Sequence, residues 1–135
     1  MRVSVALLAA LLTACQSGTD IVPASEMKLS VLNATTKTLV LVVNAVDVRT
    51  LQPGVQADVA VNDLPALPWS AEVRLPTGRS LLALTVRAGD VVIGPSSEKG
   101  DGRRVDLSCG RIDLWSGPPL LGPVPQPGSP GDCDP

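Results

Sequence analysis

Two Ser-x-x-Lys spacings occur in the chain, Ser25-Glu26-Met27-Lys28 and Ser96-Ser97-Glu98-Lys99. On a helix this spacing sets a lysine beside a serine hydroxyl, the arrangement that nucleophilic acyl transfer requires. Neither match is predicted on a helix. The first lies where a linker meets a strand, the second in a Gly-containing polar loop, and neither has companion motifs, so both read as chance. Glu98, Asp101 and Asp106 around Gly102 offer oxygen ligands of the kind Ca²⁺ takes. Their spacing fits no known loop, Arg103-Arg104 opposes a cation, and a solvated turn is the expectation. The chain has no His, which removes the commonest general base and a common metal ligand. It has no Gly-x-Ser-x-Gly, no P-loop and no Gly-x-Gly-x-x-Gly. These observations predict no catalytic residues, no metal and no cofactor.

The N-terminus reads as an address. Met1-Arg2 is a short positive start, and Val3 to Leu12 is apolar except for Ser4. As a helix that run is about 15 Å long, too short for a bilayer and suited to a signal-peptide core. Leu12-Thr13-Ala14-Cys15 follows. This resembles the lipobox of bacterial lipoproteins, an aliphatic residue and two small ones before Cys. The resemblance covers residues 1–15 alone. It implies that Cys15 receives a diacylglyceryl group, that residues 1–14 are removed as a signal peptide, and that Cys15 becomes the acylated N-terminus. Several acyl chains on one residue would hold the protein stably on a membrane, where a single chain holds only marginally. The alternative is an ordinary secretory signal in which Cys15 is incidental.

With Cys15 given to lipid, Cys109 and Cys133 remain. An even pair in an exported chain reads as a disulfide, closing a loop of about 25 residues and contributing roughly 3 kcal/mol. Free thiols and an intermolecular bridge are the alternatives. Zinc is disfavoured, since two Cys without His leave only carboxylates to complete four ligands.

Residues 15–26 read as the lipidated Cys and a polar tether, the eleven residues after Cys15 having a random-coil reach of about 18 Å. Residues 27–115 read as one folded body. Its Val, Leu and Thr come in short runs between turn signals, and no helical period appears. Leu29, Val31 and Asn33 alternate with Ser30, Leu32 and Ala34, while Thr38 to Val43 is a continuous apolar run fit for the middle of a sheet. Asn44-Ala45 can form a two-residue hairpin turn. Val55, Ala57, Val59 and Val61 alternate with polar or small residues. Pro65 and Pro68 keep their neighbourhood extended. Residues 69–87 read as a hairpin around Pro76-Thr77-Gly78, followed by a turn at Gly89-Asp90 and a short strand at 91–93. Residues 94–103 read as a polar loop, and strands are expected at 105–109 and 111–115. The fold class is therefore all-β, a small Ig-like β-sandwich, the Ig-like choice resting on analogy with extracellular modules. Residues 116–135, with seven Pro and four Gly, read as an irregular tail. A Cys109–Cys133 bridge would lay this tail over the body, with Leu120, Leu121 and Val124 as its contacts and Trp115 beneath it.

Trp69 and Trp115 are the only aromatic residues. They are expected in the core, with a sugar-stacking platform as the alternative. Two aromatics and a formal net charge of -2 exclude a basic, base-stacking nucleic-acid surface. Asn33-Ala34-Thr35 is a glycosylation sequon by pattern, uninformative behind a bacterial lipobox. The arginines read as solubilising surface. The function expected is a non-catalytic, lipid-anchored β module on the extracytoplasmic face of a bacterial membrane. It would touch the membrane through its N-terminal lipid and take an envelope protein or wall component as partner. The alternative is an accessory subunit or small envelope enzyme working through carboxylates and serine.

Overall fold

The computed structural model describes residues 20–93, 98–122 and 128–135. Residues 1–19 with Cys15, Ser96 and Val124 lie outside them. Eleven strands follow one another there: β1 Asp20–Ile21, β2 Lys28–Thr35, β3 Leu39–Val43, β4 Val46–Leu51, β5 Gln56–Ala60, β6 Trp69–Arg74, β7 Ser80–Val86, β8 Val92–Ile93, β9 Glu98–Lys99, β10 Asp101–Leu107 and β11 Gly110–Ser116. Two single-turn 3₁₀ helices, Ala24–Glu26 and Val61–Asp63, are the only helical segments among the described residues. No helix there is long and apolar enough to cross a membrane.

Two four-stranded antiparallel sheets, ordered β10-β11-β2-β5 and β4-β3-β6-β7, pack together as a small β-sandwich. Period-two alternation decides which residues meet between them. Leu29 and Val31, Ile112 and Leu114, and Val59 face in from the first sheet. Leu39, Leu41 and Val43, Trp69, Ala71 and Val73, and Leu84 and Val86 face in from the second. The apolar run of β3 is one of the two inner strands of its sheet, as its continuous hydrophobicity requires: Leu39, Leu41 and Val43 enter the core, and Val42 on the other face is buried too.

The local readings at two turns hold. Asn44 and Ala45 both take positive φ, 49° and 65°, the two-residue turn whose twist matches its flanking strands. Asn44 also clamps the neighbouring segment: its Nδ2 donates to the Pro68 carbonyl at 3.1 Å and its Oδ1 accepts from Ser70 N–H at 2.8 Å. The β6–β7 hairpin turns at 76–78 with Gly78 at φ +95°. Gln52-Pro53-Gly54 separates β4 from β5.

Three readings change. Residues 94–103 are not a loop throughout: β9 and the first three residues of β10 lie within them. Their polar composition suits an edge strand, where charged side chains emerge into water while the backbone pairs on one side only. Asp101–Gly102 is accordingly ladder, opposite Ser116 and Trp115, rather than a solvated turn. Residues 20–26, expected as tether, join the fold instead. β1 pairs with β8, which pairs with β9, in a small third sheet. Val22 N–H donates to the Val91 carbonyl at 3.0 Å, and the Val22 side chain packs on the core. Thirdly, Cys109 lies in the β10–β11 turn rather than in a strand.

The tail is irregular and stapled. Cys109 and Cys133 form a disulfide with Cα atoms 4.9 Å apart. Around it Ser108 Oγ donates to the Asp132 carbonyl, Ser129 N–H donates to the Ser108 carbonyl at 3.1 Å, and Arg79 Nη2 donates to the Cys133 carbonyl at 2.7 Å. Further back the tail crosses the outer face of the first sheet. Leu120 sits over Gly102 beside Trp115, in the space a Cβ at residue 102 would need. Leu121 is not a contact, being 91% exposed; its carbonyl accepts from Arg104 Nη1 at 3.1 Å while its side chain points away. Beneath this strap Asp113 receives Arg104 at 3.0 Å and Arg111 at 3.1 Å.

Candidate functional site

Strands β7 and β10 are each the last strand of their sheet, and they run side by side at one corner of the sandwich without forming a ladder. A cleft of about 380 Å³ opens there, lined by Ser70, Ala83, Leu84, Thr85, Arg87, Asp101, Gly102 and Arg103. The pairing of β6 with β7 puts Ser70 opposite Thr85, on the sheet face that Trp69, Ala71 and Val73 leave. Both side chains are exposed. Arg103 pairs with Leu114 and so points toward the interior side of its sheet. Because β10 is an edge strand, this guanidinium emerges at the rim of the cleft rather than in the core.

The turn after β7 brings the remaining charges. Arg87 N–H donates to Asp90 Oδ2 at 2.6 Å, and Asp90 N–H returns a bond to the Arg87 carbonyl at 3.2 Å. The Arg87 amide holds the Asp90 carboxyl below its ordinary range, with the Arg87 and Lys99 charges adding to it. Asp101 moves the other way. Burial raises its carboxyl first, then its hydrogen bond to Asp90 and the charge on that neighbour, while Lys99 and Arg87 oppose the shift. The two carboxyls thus divide into one held ionised and one that keeps its proton longer, which is how neighbouring acids separate in role.

The sequence-based candidates fall elsewhere. Ser25 is exposed in a single 3₁₀ turn rather than on an α-helix, and Lys28 of the same motif pairs with Asp58 at 3.4 Å. Ser96 lies outside the described residues. Asp101 and Asp106 stand five residues apart on one strand, about 17 Å, so they cannot share an ion. No group of three or more metal-binding side chains occurs among the described residues. Trp69 is fully buried, with its indole N–H donated to the Pro65 carbonyl at 2.8 Å. Trp115 is 6% exposed on the opposite face of its sheet, under the strap. Neither presents a face to a sugar.

Asn33 and Thr35 of the sequon are structural. Asn33 is fully buried, its Nδ2 donating to the carbonyls of Lys37, Leu51 and Gln52 at 2.8, 3.1 and 3.1 Å. Its Oδ1 accepts from Thr35 Oγ1 at 2.6 Å and Thr35 N–H at 3.0 Å.

Arg87, Asp90 and Arg103 are not marked as a site by the sequence, and Asp101 is singled out there only as an oxygen ligand for Ca²⁺. Each sits in a stretch whose composition says turn or polar edge. The one local signal is Arg87-x-Gly89-Asp90, a turn in which an Asp can reach back to a backbone amide. What joins it to Arg103 is sheet order. A second depression of about 260 Å³, mostly apolar, lies where Val22, Met27, Val91, Pro118 and Pro119 meet. No protein-family model matches this chain, and no curated protein or solved structure is significantly similar to it.

Proposed function

We propose that the protein is a lipid-anchored module on the extracytoplasmic face of a bacterial membrane, non-catalytic, with a binding or structural role at the cell envelope. The observation that carries the reading is the Cys109–Cys133 bridge. Such bridges persist in oxidising, exported compartments, and this one leaves Cys15, at the end of the lipobox-like sequence, as the one cysteine outside it. The site that supports binding is the cleft at the β7–β10 corner, polar and open. Intact-mass analysis of the protein extracted from membranes tests the anchor. The expected species begins at Cys15 and carries acyl mass on that residue. A soluble mature form starting elsewhere, or an unmodified Cys15, overturns the reading.

The pairing of Asp90 with Asp101 favours a second reading, a small envelope enzyme or accessory subunit that uses these carboxyls as acid and base. The Asp90 carboxylate is already occupied in holding the 87–90 turn, which leaves Asp101 as the group free to exchange a proton with a substrate. Turnover of an envelope polymer that is lost in Asp101→Asn would select this second reading over the first.

A further inference from the structure

We propose that the cleft between β7 and β10 binds an acidic saccharide, a sugar carrying a carboxylate or a phosphate. The proposal deepens the reading of a binding module and rests on it. Ten basic side chains lie among the described residues. Lys28, Arg74, Arg79, Arg104 and Arg111 are within ion-pair distance of a carboxylate. Lys37, Arg49, Arg87, Lys99 and Arg103 are not. Three of these five gather at one corner: Arg87 and Arg103 line the cleft, and the Lys99 charge acts on Asp90 and Asp101 beside it. In a chain whose net charge is -2, three cations against the two carboxyls Asp90 and Asp101, none within ion-pair distance, leave this corner an excess of positive charge that marks a place for an anionic group. Guanidinium forks match carboxylate and phosphate geometry in particular.

The rest of the lining asks for more than a bare anion. The cleft is far larger than an oxyanion and falls in the size range of small-molecule sites, about 300–1,000 Å³. The Ser70 and Thr85 hydroxyls make no hydrogen bond within the described residues. β7 and β10 have no ladder partner on the sides that face each other, so backbone donors and acceptors border the cleft. The Asp101 carboxyl can accept from a sugar hydroxyl. Hydroxyls, an acid and open strand edges around two guanidiniums suit a polyhydroxylated ligand with one acidic group. A nucleotide fits less well, since no aromatic side chain lines the cleft to stack on a base.

The test uses the full chain in detergent micelles, with binding followed by calorimetry and by the amide resonances of residues 70, 85, 87 and 101–103. The probes are digalacturonate, glucose 6-phosphate, glucose, inorganic phosphate and a Glu-rich peptide. Digalacturonate and glucose 6-phosphate are expected to saturate and to shift those amides. Glucose and inorganic phosphate should bind roughly tenfold more weakly, each lacking one half of the recognised chemistry. Arg87→Gln and Arg103→Gln should each weaken binding roughly tenfold, and both side chains are exposed, so the fold is expected to survive. Lys37→Gln, an unpaired cation at the opposite end, should change nothing. The proposal is overturned if neither acidic sugar saturates, if glucose binds as well as they do, if Lys37→Gln matches the arginine variants, or if the peptide binds as tightly. The acyl mass on Cys15 is read separately, so loss of the anchor and loss of the ligand are distinguishable.

Discussion

Asn33 answers to two patterns at once, a sequon and an alternating strand, and burial decides between them. Its amide closes the corner where β2, β3 and β4 come together, satisfying three carbonyls that have left their ladders. Asn33→Ala would leave the buried Leu51 carbonyl and the Thr35 N–H without this partner, while the Lys37 carbonyl keeps the Thr35 hydroxyl and the Gln52 carbonyl keeps Val55 N–H; an orphaned buried group costs about 1–3 kcal/mol. The expected loss is therefore about 3 kcal/mol, read from the urea midpoint at unchanged slope, and an unaltered midpoint would refute the hub. Asp101 makes the complementary case, a group whose charge opposes folding. Its carboxyl is raised above the ordinary value of 3.8. Its contribution to stability is thus fully present below that value and is lost as pH rises through the raised one. Asp90, lowered by the Arg87 amide, has the opposite sign: its contribution is present above 3.8 and is lost as pH falls through the lowered value. Asp101→Asn keeps a donor toward Asp90 and removes the disfavoured charge. We expect it to raise the melting temperature near pH 7 and to leave it unchanged near about pH 3. Equal shifts at both would show that the carboxyl is not the cause.

The β3–β4 hairpin is built on a two-residue turn that holds Ala45 at φ +65°, a conformation that costs a residue with a Cβ about 1–2 kcal/mol. Ala45→Gly completes the Asn-Gly pair such turns prefer and is expected to stabilise by roughly 0.5–1 kcal/mol, partly offset by the looser unfolded chain. A thermal or denaturant series reads it, and destabilisation would mean that Ala45 does more than turn the chain. The neighbouring strand β4 shows how an edge is guarded. Its register slips at the bulge opposite Leu41 and Val42, and Arg49 shares the core-side face of Leu41. Both features discourage a second strand from adding there. Elements such as this hairpin and the 69–87 hairpin are legible in the sequence because alternation and turn residues lie within a few positions of each other. β9 and the start of β10 are not, because an exposed edge strand and a polar loop share the same composition. The candidate site is harder still. β2 pairs with β11, β10 lies outside β11, and β7 ends the other sheet. No local pattern announces that Arg87 and Arg103 will meet, because side-chain alternation specifies a face and not a neighbour.

The molecule as a whole is a sandwich with a strap, and the strap is held by few contacts of its own. Apart from Leu120, the described tail residues place no large side chain on the body. Leu121 points to water, and the remaining ties are Pro118 and Pro119 beside Val22 and Val91, the close approach of Gly128 to the Cys109 backbone, and hydrogen bonds around Thr36, Ser108, Arg79 and Arg104. Composition alone would leave such a segment loose, so the covalent link must set its position. Trp115, Ser30 and Asp113 are buried on a sheet face that would otherwise meet solvent. Removing the bridge therefore acts twice. The double variant Cys109→Ser, Cys133→Ser frees a loop of 24 residues' separation and should cost about 3 kcal/mol by the loop-entropy estimate. It should also let the strap lift, exposing Trp115 while Trp69 stays in the core. Two readouts separate these effects. Urea unfolding reports the stability loss, and quenching of tryptophan fluorescence by acrylamide in the folded state reports the uncovering, with about half of the emission becoming accessible if the two indoles emit alike. Limited proteolysis should then cut within 117–132 before any cut in the body. If stability falls but neither indole becomes accessible, the strap is held by its own contacts and the bridge acts only on the unfolded chain. If both indoles become accessible together, the outer layer is not separable from the sandwich, and the strap belongs to the core.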